Sequence, residues 1–236
     1  MEALLLGWFE EHGRDLPWRR TTDPYAVLVS ELMLQQTQVP RVIPRYVAWI
    51  QRWPTAEALA AAPRAAVIRE WQGLGYNRRA VNLHRASEIV AAEGWPEDLT
   101  KLPGVGAYTA AAVRRFAFGE PVLPVDTNVG RVLERTGGRF GPEAAAALMD
   151  LGAAVCLARV PRCRECPLAS DCPSRGRRYE PLRKQSRFEG SFRQRRAETL
   201  RLVAAGRSSG LDAEAVASLA QDGLVEMRAG LVRLPQ

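Results

Sequence analysis

The chain has 236 residues, of which 47% are hydrophobic, so it is long enough to bury one or two compact cores. Its 33 lysines and arginines outnumber its 26 acidic residues, which gives a formal net charge of +7. Because the arginine guanidinium binds phosphate through a planar fork, this balance favours a polyanionic partner such as nucleic acid. The start, MEALLLGWFEEHG, has no basic leader and only a short apolar run, which predicts neither a signal peptide nor a membrane span, and therefore a cytoplasmic protein.

Residues 22–118 consist of short segments with helical hydrophobic spacing, each bounded by a capping residue, a proline or a glycine. Asp23 and Pro24 are typical of a helix start and open the predicted helix YAVLVSELMLQQT. Further helices are predicted in PRVIPRYVAWIQRW, AEALAAA, RAAVIREW and RAVNLHRASEIVAAE. The alternation typical of strands is almost absent before the last residues, so the core is predicted to be all-α.

The C-terminal part has a different composition. Residues 173–191 are rich in arginine, proline and glycine, which predicts a linker along the surface. After them, RRAETLRLVAAG and AEAVASLAQDG have helical spacing, and GLVEMRAGLVRLP predicts a small hairpin that turns at Ala229 and Gly230. This order of helix, helix, strand and strand is that of a small winged-helix-like module.

The four cysteines lie close together in the pattern C-x6-C-x2-C-x5-C. They are Cys156, Cys163, Cys166 and Cys172. In a cytoplasmic protein such a cluster indicates a metal site rather than disulfides. Four thiolates suit either a tetrahedral zinc site or a cubane iron–sulfur cluster, since both take four sulfur ligands, and the residues alone leave both interpretations open.

The segment KLPGVGAYTAAAV predicts a tight turn followed by an alanine-rich helix that opens with Tyr108. Gly104 and Gly106, on either side of Val105, let the backbone approach a phosphate closely. The N–H groups at the start of the following helix can then receive the anion. A glycine turn between two helices is common, so this motif predicts an anion site only in combination with others.

The glycine hairpin, the later segment VLPVDTNVGRV and the four-cysteine loop, in that order, resemble the helix-hairpin-helix base-excision DNA glycosylases, the superfamily of endonuclease III and MutY. The resemblance spans about residues 5–175. It implies two helical subdomains: a cluster domain at residues 1–21 and 127–176, and a six-helix barrel with the hairpin at residues 22–126. A linker and a small module then occupy residues 177–236.

The same resemblance implies a 4Fe-4S cluster held by the four cysteines. It also implies a partner, double-stranded DNA with a mismatched or damaged base, which the protein binds as a monomer in the cytoplasm, at the nucleoid. The target nucleotide must be flipped out of the duplex, because the glycosidic bond cannot be reached inside the base stack.

Tyr108 predicts which reaction follows. In bifunctional members of the superfamily a lysine stands at this position, attacks the sugar and leads to strand cleavage through a Schiff base. Tyrosine cannot form a Schiff base, so the resemblance implies a monofunctional enzyme that removes a base and leaves an abasic site. The alternative is that the ring only packs at the helix start, which still leaves the lysine absent.

Two carboxylates are candidates for the chemistry. Glu31 lies in the apolar helix VLVSELML, where burial would favour its neutral form and suit a general acid, although periodicity alone favours an exposed residue beside Ser30. SELMLQQTQV resembles the adenine glycosylase signature whose glutamate protonates the departing purine. Asp126 is a candidate helix cap, and by resemblance it stabilises the positive charge on the sugar. Asn128 and Tyr108 match residues that line this pocket and orient the water or the aspartate.

Other residues match parts of the DNA interface and the base pocket. By resemblance, Gln36 and Tyr76 wedge into the duplex beside the opposing base, with contacts to the backbone from Gly104, Val105 and Gly106. The residues that match the adenine pocket are Arg14, Trp18 and Leu34. For Tyr76 and for the tryptophan, ordinary aromatic packing is the alternative.

Three functions are consistent with these motifs. The signature SELMLQQTQV and the segment VLPVDTNVGRV favour removal of adenine opposite guanine or 8-oxoguanine. Asn77, where a second tyrosine is common, and Ala146, where glutamine or glutamate is usual, favour a thymine or uracil glycosylase acting opposite guanine. The third is a non-catalytic DNA-binding relative, against which the presence of Glu31 and Asp126 argues.

Overall fold

The computed structural model describes residues 1–180 and 187–236, and these residues form mainly α-helices, as predicted. The elements of the described part are α1 Glu2–His12, α2 Pro24–Leu34, α3 Val39–Arg52, α4 Ala56–Ala60, α5 Arg64–Trp71, α6 Arg78–Glu93, α7 Ala107–Phe116, α8 Thr127–Thr136, α9 Ala145–Ala154, α10 Phe192–Ala204, α11 Ala213–Gln221, β1 Glu226–Arg228 and β2 Leu231–Arg233. None of these helices is long and apolar enough to cross a bilayer.

The chain divides into two compact units. The first is formed by Met1–Val27 and Gly106–Lys184, and the second by Leu28–Val105 and Gln185–Gln236. The division into a cluster domain, a six-helix barrel and a C-terminal module stays a prediction.

The first unit is built on the packing of α1, α8 and α9. Leu5 of α1, Val129 of α8 and Leu148 of α9 are completely buried in one core, where each contributes roughly 1.5–3 kcal/mol by leaving water. Cys156 and Leu168, from the segment that follows α9, belong to the same core. The cysteine-containing segment is therefore anchored on this helical core.

The second unit contains α3 to α6 and the C-terminal elements. Trp49 of α3 and Trp71 of α5 are both completely buried and meet edge to face, with ring centroids 5.4 Å apart. Helix α6 packs against both α4 and α5. This helix is central to the packing of the second unit.

The C-terminal helices and hairpin pack on α5 and α6. One apolar cluster contains Ile68 of α5, Val81 of α6, Leu200 of α10, Leu219 of α11 and Val232 of β2. The helices α10 and α11 also contact each other. These residues are thus integrated in the second unit through an apolar core.

The predicted C-terminal hairpin is confirmed. Strands β1 and β2 are antiparallel, with Glu226 opposite Arg233, and the turn residues Ala229 and Gly230 have φ of 50° and 76°. Two positive φ values are typical of the two-residue turn that matches the twist of a hairpin. The predicted order of elements is observed, while the relation to winged helices stays a prediction. Part of the predicted linker, residues 181–186, lies outside the described residues.

Helix α2 begins as predicted and ends earlier than predicted. The Asp23 carboxylate accepts hydrogen bonds from the N–H groups of Tyr25 and Ala26, at 3.2 and 3.1 Å, which is the expected N-cap. The helix ends at Leu34 instead of continuing through QQT, because Gln36 adopts a left-handed conformation with φ of 56°.

Candidate functional site

Glu31 lies on a helix that is buried all round. Its exposed fraction is 7%, and that of Ser30 is 1%, so the interpretation of this pair as a solvent-facing surface is wrong. The neighbouring Leu32 and Met33 are completely buried. Burial by itself disfavours the ionised form of a carboxyl group, so this position is compatible with a general acid, and that role of Glu31 stays a prediction.

Asp126 and Asn128 lie side by side at the start of α8. Asp126 Oδ1 accepts a hydrogen bond from the Val129 N–H at 2.6 Å, which confirms the predicted helix cap. Asp126 Oδ2 accepts a second bond from Asn128 Nδ2 at 3.2 Å. The carboxylate is only partly buried, so it is both held in a fixed orientation and accessible. The two roles predicted for Asp126 are therefore compatible.

Arg131 links this pair to the cysteine segment, a role that no sequence pattern predicted. Its Nη2 donates to Asn128 Oδ1 and to the Gly152 carbonyl, both at 2.7 Å, and its Nε donates to the Cys156 carbonyl at 2.7 Å. Burial lowers the pKa of Arg131, and the neighbouring Cys156 acts in the opposite direction. The sequence signal was its position one helical turn after Asn128, on the same face of α8.

Arg14 lies beside a buried carboxylate. Asp150 of α9, with 1% of its surface exposed, accepts hydrogen bonds from Arg14 Nε and Nη2 at 2.8 and 2.6 Å. Arg19 donates to both oxygens of the same carboxylate, at 2.9 and 2.7 Å. Trp18 is buried in the short 3₁₀ helix Pro17–Arg19. The guanidinium of Arg14 is thus held in one orientation.

The Asp150 carboxyl is ionised at neutral pH. Burial by itself raises the pKa of Asp150, but the hydrogen bonds from Arg19 and Arg14 outweigh it, so the pKa lies below its ordinary value. Neither Asp150 nor Arg19 was predicted as a site residue. The available signal was an aspartate within the apolar helix AAALMDLGAA, because an ionised side chain at a core position needs a cationic partner.

The predicted wedge residues lie on two loops of the second unit that contact each other. Thr37 Oγ1 donates to the Leu74 carbonyl at 3.2 Å and joins the loops. Gln36 is exposed, and Tyr76 has 45% of its surface exposed, so packing in the core does not account for the tyrosine. Their φ angles are 56° and 45°, which is uncommon for residues with a side chain. Leu34 is the partly buried last residue of α2.

The predicted glycine turn is present. The Val105 N–H donates to the Leu102 carbonyl at 3.1 Å, and Gly104 has φ of 80°. Gly106 is the N-cap of α7, and Tyr108 lies in the first turn of that helix, partly exposed. Because the Val105 N–H is used within the turn, an anion would be bound by the N–H groups that begin at the helix start.

We expect Gly104→Ala to lower both stability and affinity for duplex DNA. An added Cβ would lie 2.9 Å from Asn82 Cβ and 3.0 Å from its Nδ2, and the positive φ is unfavourable for alanine. The left-handed conformation alone costs about 1–3 kcal/mol. The displacement would also disturb the bond from Gln35 Nε2 to the Gly104 carbonyl, at 3.3 Å. Thermal unfolding and fluorescence anisotropy with a labelled duplex measure the two effects.

Gly7→Ala is the matched control, since an added Cβ at Gly7 meets nothing within 4 Å and alanine favours the helix α1. It should unfold and bind like the parent protein. Parental affinity in Gly104→Ala would contradict a role of this turn in DNA binding.

The four cysteines line one cavity. Its thiol-bearing residues are Cys156, Cys163, Cys166 and Cys172. The Gly176 N–H donates to Cys163 Sγ at 3.3 Å, and Arg135 Nη1 donates to Cys156 Sγ at 3.6 Å. Burial raises the pKa of the Cys166 thiol, against a hydrogen bond from the Leu168 backbone, and the other three cysteines raise it further. The four sulfurs are therefore close enough to influence one another.

This donor set fits a centre with four sulfur ligands. Within residues 1–180 and 187–236, no three histidine, cysteine, aspartate or glutamate side chains converge as the ready-made site of a single metal ion. N–H groups directed at the sulfurs are the contacts that stabilise thiolates bound to a metal centre and tune it. The structure therefore places the four cysteines around one cavity, while their role as cluster ligands stays a prediction.

Comparisons with known proteins show what the whole chain is similar to. The sequence profile of the HhH-GPD superfamily base excision DNA repair proteins matches residues 29–150. The chain is 45% identical to the adenine DNA glycosylase of Mycolicibacterium smegmatis, with 83% of this chain and 78% of that protein covered. It is 41% identical to the adenine DNA glycosylase of Mycobacterium tuberculosis, with 85% and 77% covered.

A similarity is also found among solved structures. A thermostable thymine-DNA glycosylase superposes with a TM-score of 0.65 at 28% identity, which covers 73% of this chain and 93% of that one. Its sequence is less similar to this chain than the two adenine DNA glycosylases are.

Proposed function

Because the chain belongs to the HhH-GPD superfamily of base excision DNA repair proteins, we propose that it is an adenine DNA glycosylase. It removes adenine mispaired with guanine or 8-oxoguanine by hydrolysis of the N-glycosidic bond. The observation that carries the proposal is the 45% identity to an adenine DNA glycosylase over most of both chains. The burial of Glu31 within the adenine signature supports it.

The reaction follows from the two carboxylates. Once the adenine nucleotide is extruded from the duplex, Glu31 donates a proton to the departing purine, and the electron pair of the glycosidic bond leaves with the base. The Asp126 carboxylate, oriented by Asn128, stabilises the positive charge that develops on the sugar. Water then adds to the anomeric carbon and loses a proton. The products are free adenine and an abasic site.

The remaining predicted residues bind and orient the DNA. Gln36 and Tyr76 fill the space left in the duplex, which suits their exposed positions on two joined loops. The resemblance assigns roles in base binding to Arg14, Trp18 and Leu34. Asp150 fixes the orientation of the Arg14 guanidinium through two hydrogen bonds.

The hairpin binds the DNA backbone, and Tyr108 determines that the backbone is not cleaved. The N–H groups at the helix start, from Gly106 onward, bind a phosphate, and the turn with Gly104 and Val105 brings the helix start close to it. Since Tyr108 cannot form a Schiff base, the enzyme is monofunctional and leaves the strand intact. The monomeric state and the cytoplasmic location at the nucleoid stay predictions.

A 4Fe-4S cluster completes this proposal, held by the four cysteines that line the cavity. Bound there, the cluster would crosslink the loop after α9 and hold the basic residues of that loop in place. The residues of this chain that perform the proposed reaction are Glu31 and Asp126, and neither lies in that loop.

A single-turnover assay on end-labelled duplexes with A:8-oxoguanine, A:G, T:G or U:G tests the proposal. Each reaction is analysed with and without alkali. We expect adenine to be released and strand breaks to appear only after alkali. Loss of thymine or uracil instead would overturn the substrate assignment, and would support the reaction that the thymine-DNA glycosylase similarity suggests. Breaks without alkali would contradict the role of Tyr108.

A further inference from the structure

Arg79, in the first turn of α6, is a buried cation whose hydrogen bonds all go to neutral acceptors. Its exposed fraction is 6%. It donates seven hydrogen bonds, and their acceptors are the Thr37 hydroxyl at 3.0 Å and, at 2.6 to 3.3 Å, the carbonyls of Leu32, Met33, Gln35, Leu74, Gly75 and Tyr76. No motif in the sequence predicted a role for it.

Removing the charged guanidinium of Arg79 from water is energetically unfavourable. Burial lowers the pKa of Arg79 to about 10, which shows that its charged form is disfavoured there. An apolar side chain of similar volume avoids that penalty, so the contribution of the arginine at this position lies in its hydrogen bonds. Only the guanidinium carries five N–H donors in a rigid fork, which lets it bind carbonyl groups on two sides at once.

The fork of Arg79 joins two segments of the second unit. Its Nη1 bonds three carbonyls at the end of α2, so it caps that helix where the chain turns into Gln36. Its Nη2 and Nε bond the loop that leads into Tyr76. Thr37 Oγ1 accepts from Nη2 and donates to the Leu74 carbonyl, which closes the network.

Each segment ends in an exposed residue with a strained backbone. Gln36 and Tyr76 both have positive φ, and a conformation of this kind persists only when the surrounding structure enforces it. Arg79 supplies that constraint to both at once, since it bonds the carbonyl of Gln35 directly before the first and the carbonyl of Tyr76 itself.

We propose that Arg79 is a positioning residue that holds Gln36 and Tyr76 together in the geometry in which they enter the duplex beside the extruded nucleotide. The inference rests on the proposed function, because it assigns to both side chains the wedge role. Arg79 itself reaches neither DNA nor substrate, being enclosed by the backbone that it binds.

Arg79→Lys provides the test, because lysine keeps the charge but carries its three N–H donors on one nitrogen, which cannot span both segments as the guanidinium fork does. Its single-turnover rate constant on an A:G duplex should fall about tenfold, as expected when reacting groups are misplaced by a fraction of an ångström. The reaction amplitude separately reports the folded fraction. Arg85→Lys, at an exposed position of the same helix, is the matched control and should react like the parent.

A double-mutant cycle separates positioning from general destabilisation. If Arg79 acts through the wedge, Tyr76→Ala and Gln36→Ala should each cost much less in the Arg79→Lys background than in the parent. Rate losses that multiply independently would overturn the proposal, as would a parental rate constant in Arg79→Lys. If Arg79→Lys does not fold, Thr37→Val replaces it in the cycle. Its rate constant should fall less, and independent rate losses or a parental rate constant would again overturn the proposal.

Fluorescence of 2-aminopurine placed next to the mismatch gives a readout that needs no base removal. Its rise on binding, which reports unstacking, should be reduced in Arg79→Lys and in Tyr76→Ala to a similar level, and an unchanged rise in Arg79→Lys would overturn the inference. If the parent releases no adenine from any duplex, the proposed function fails. The fluorescence measurements then test separately whether Arg79 positions Gln36 and Tyr76.

Discussion

Asp126→Asn should slow adenine release by at least about 10²–10³-fold and leave duplex binding unchanged. The amide oxygen can still accept the hydrogen bond from the Val129 N–H, so α8 keeps its cap and the protein folds. What is lost is the negative charge facing the sugar, which acts only as positive charge develops in the transition state. Electrostatic groups of this kind contribute about 10²–10³-fold or more to the rate. Single-turnover release and anisotropy measure the two properties.

The chain offers a matched control for this change. Asp212 caps α11 as Asp126 caps α8, with its Oδ1 accepting from the Ala215 N–H at 2.9 Å. Asp212→Asn should therefore release adenine at the parental rate. Parental release by Asp126→Asn would contradict the proposed mechanism.

Glu31→Gln should be comparably inactive for a different reason. Glutamine matches the size of the buried side chain but has no acidic proton for the departing purine, and general acid catalysis contributes about 10²–10⁴-fold. Single-turnover release of adenine measures the loss. A variant that releases adenine at the parental rate would remove Glu31 from the role of acid.

Asp150→Asn should destabilise the first unit strongly. Asp150 is completely enclosed and bonds both Arg14 and Arg19, so its replacement leaves two partly buried cations without their counter-charge. Breaking a buried ion pair by removing one partner costs about 3–5 kcal/mol. Denaturant unfolding near neutral pH measures the change. Release of Arg14 should also slow the excision of adenine in the protein that remains folded.

The stabilisation that Asp150 provides should decrease at acid pH. The folded-state pKa of Asp150 is lowered, so its stabilisation is complete above the unfolded-state pKa and is lost as the pH falls through the folded-state pKa. The stability difference between the parent and Asp150→Asn should thus be full near neutral pH and shrink below about pH 4. A difference that stays the same at acid pH would refute this assignment.

Asp15→Asn is the matched control for Asp150→Asn. Asp15 pairs with Arg20 by hydrogen bonds from Nε and Nη2, but both side chains are mostly exposed. Exposed pairs contribute little because water and salt screen them. We therefore expect no measurable change in the unfolding transition of Asp15→Asn.

Local features of this protein could be predicted from the sequence. The caps formed by Asp23 and Asp126, the hairpin at Ala229 and Gly230, and the turn at Gly104 all appear where the sequence predicts them. Each depends on residues within a few positions of one another, whose backbone preferences and side-chain hydrogen bonds act over one turn. The family was identifiable for the same reason, since its motifs are short and contiguous.

The features that the sequence could not determine depend on residues far apart in the chain. Asp150 is explained only by Arg14 and Arg19, which lie more than 130 positions away. Arg79 bonds carbonyl groups, which every residue carries, so no side-chain pattern predicted its partners. The burial of Glu31 and the early end of α2 likewise depend on how the second unit packs. Local chemistry thus specifies the elements and motifs of this protein, whereas tertiary packing decides which charges are buried, what pairs with them and which loops they hold.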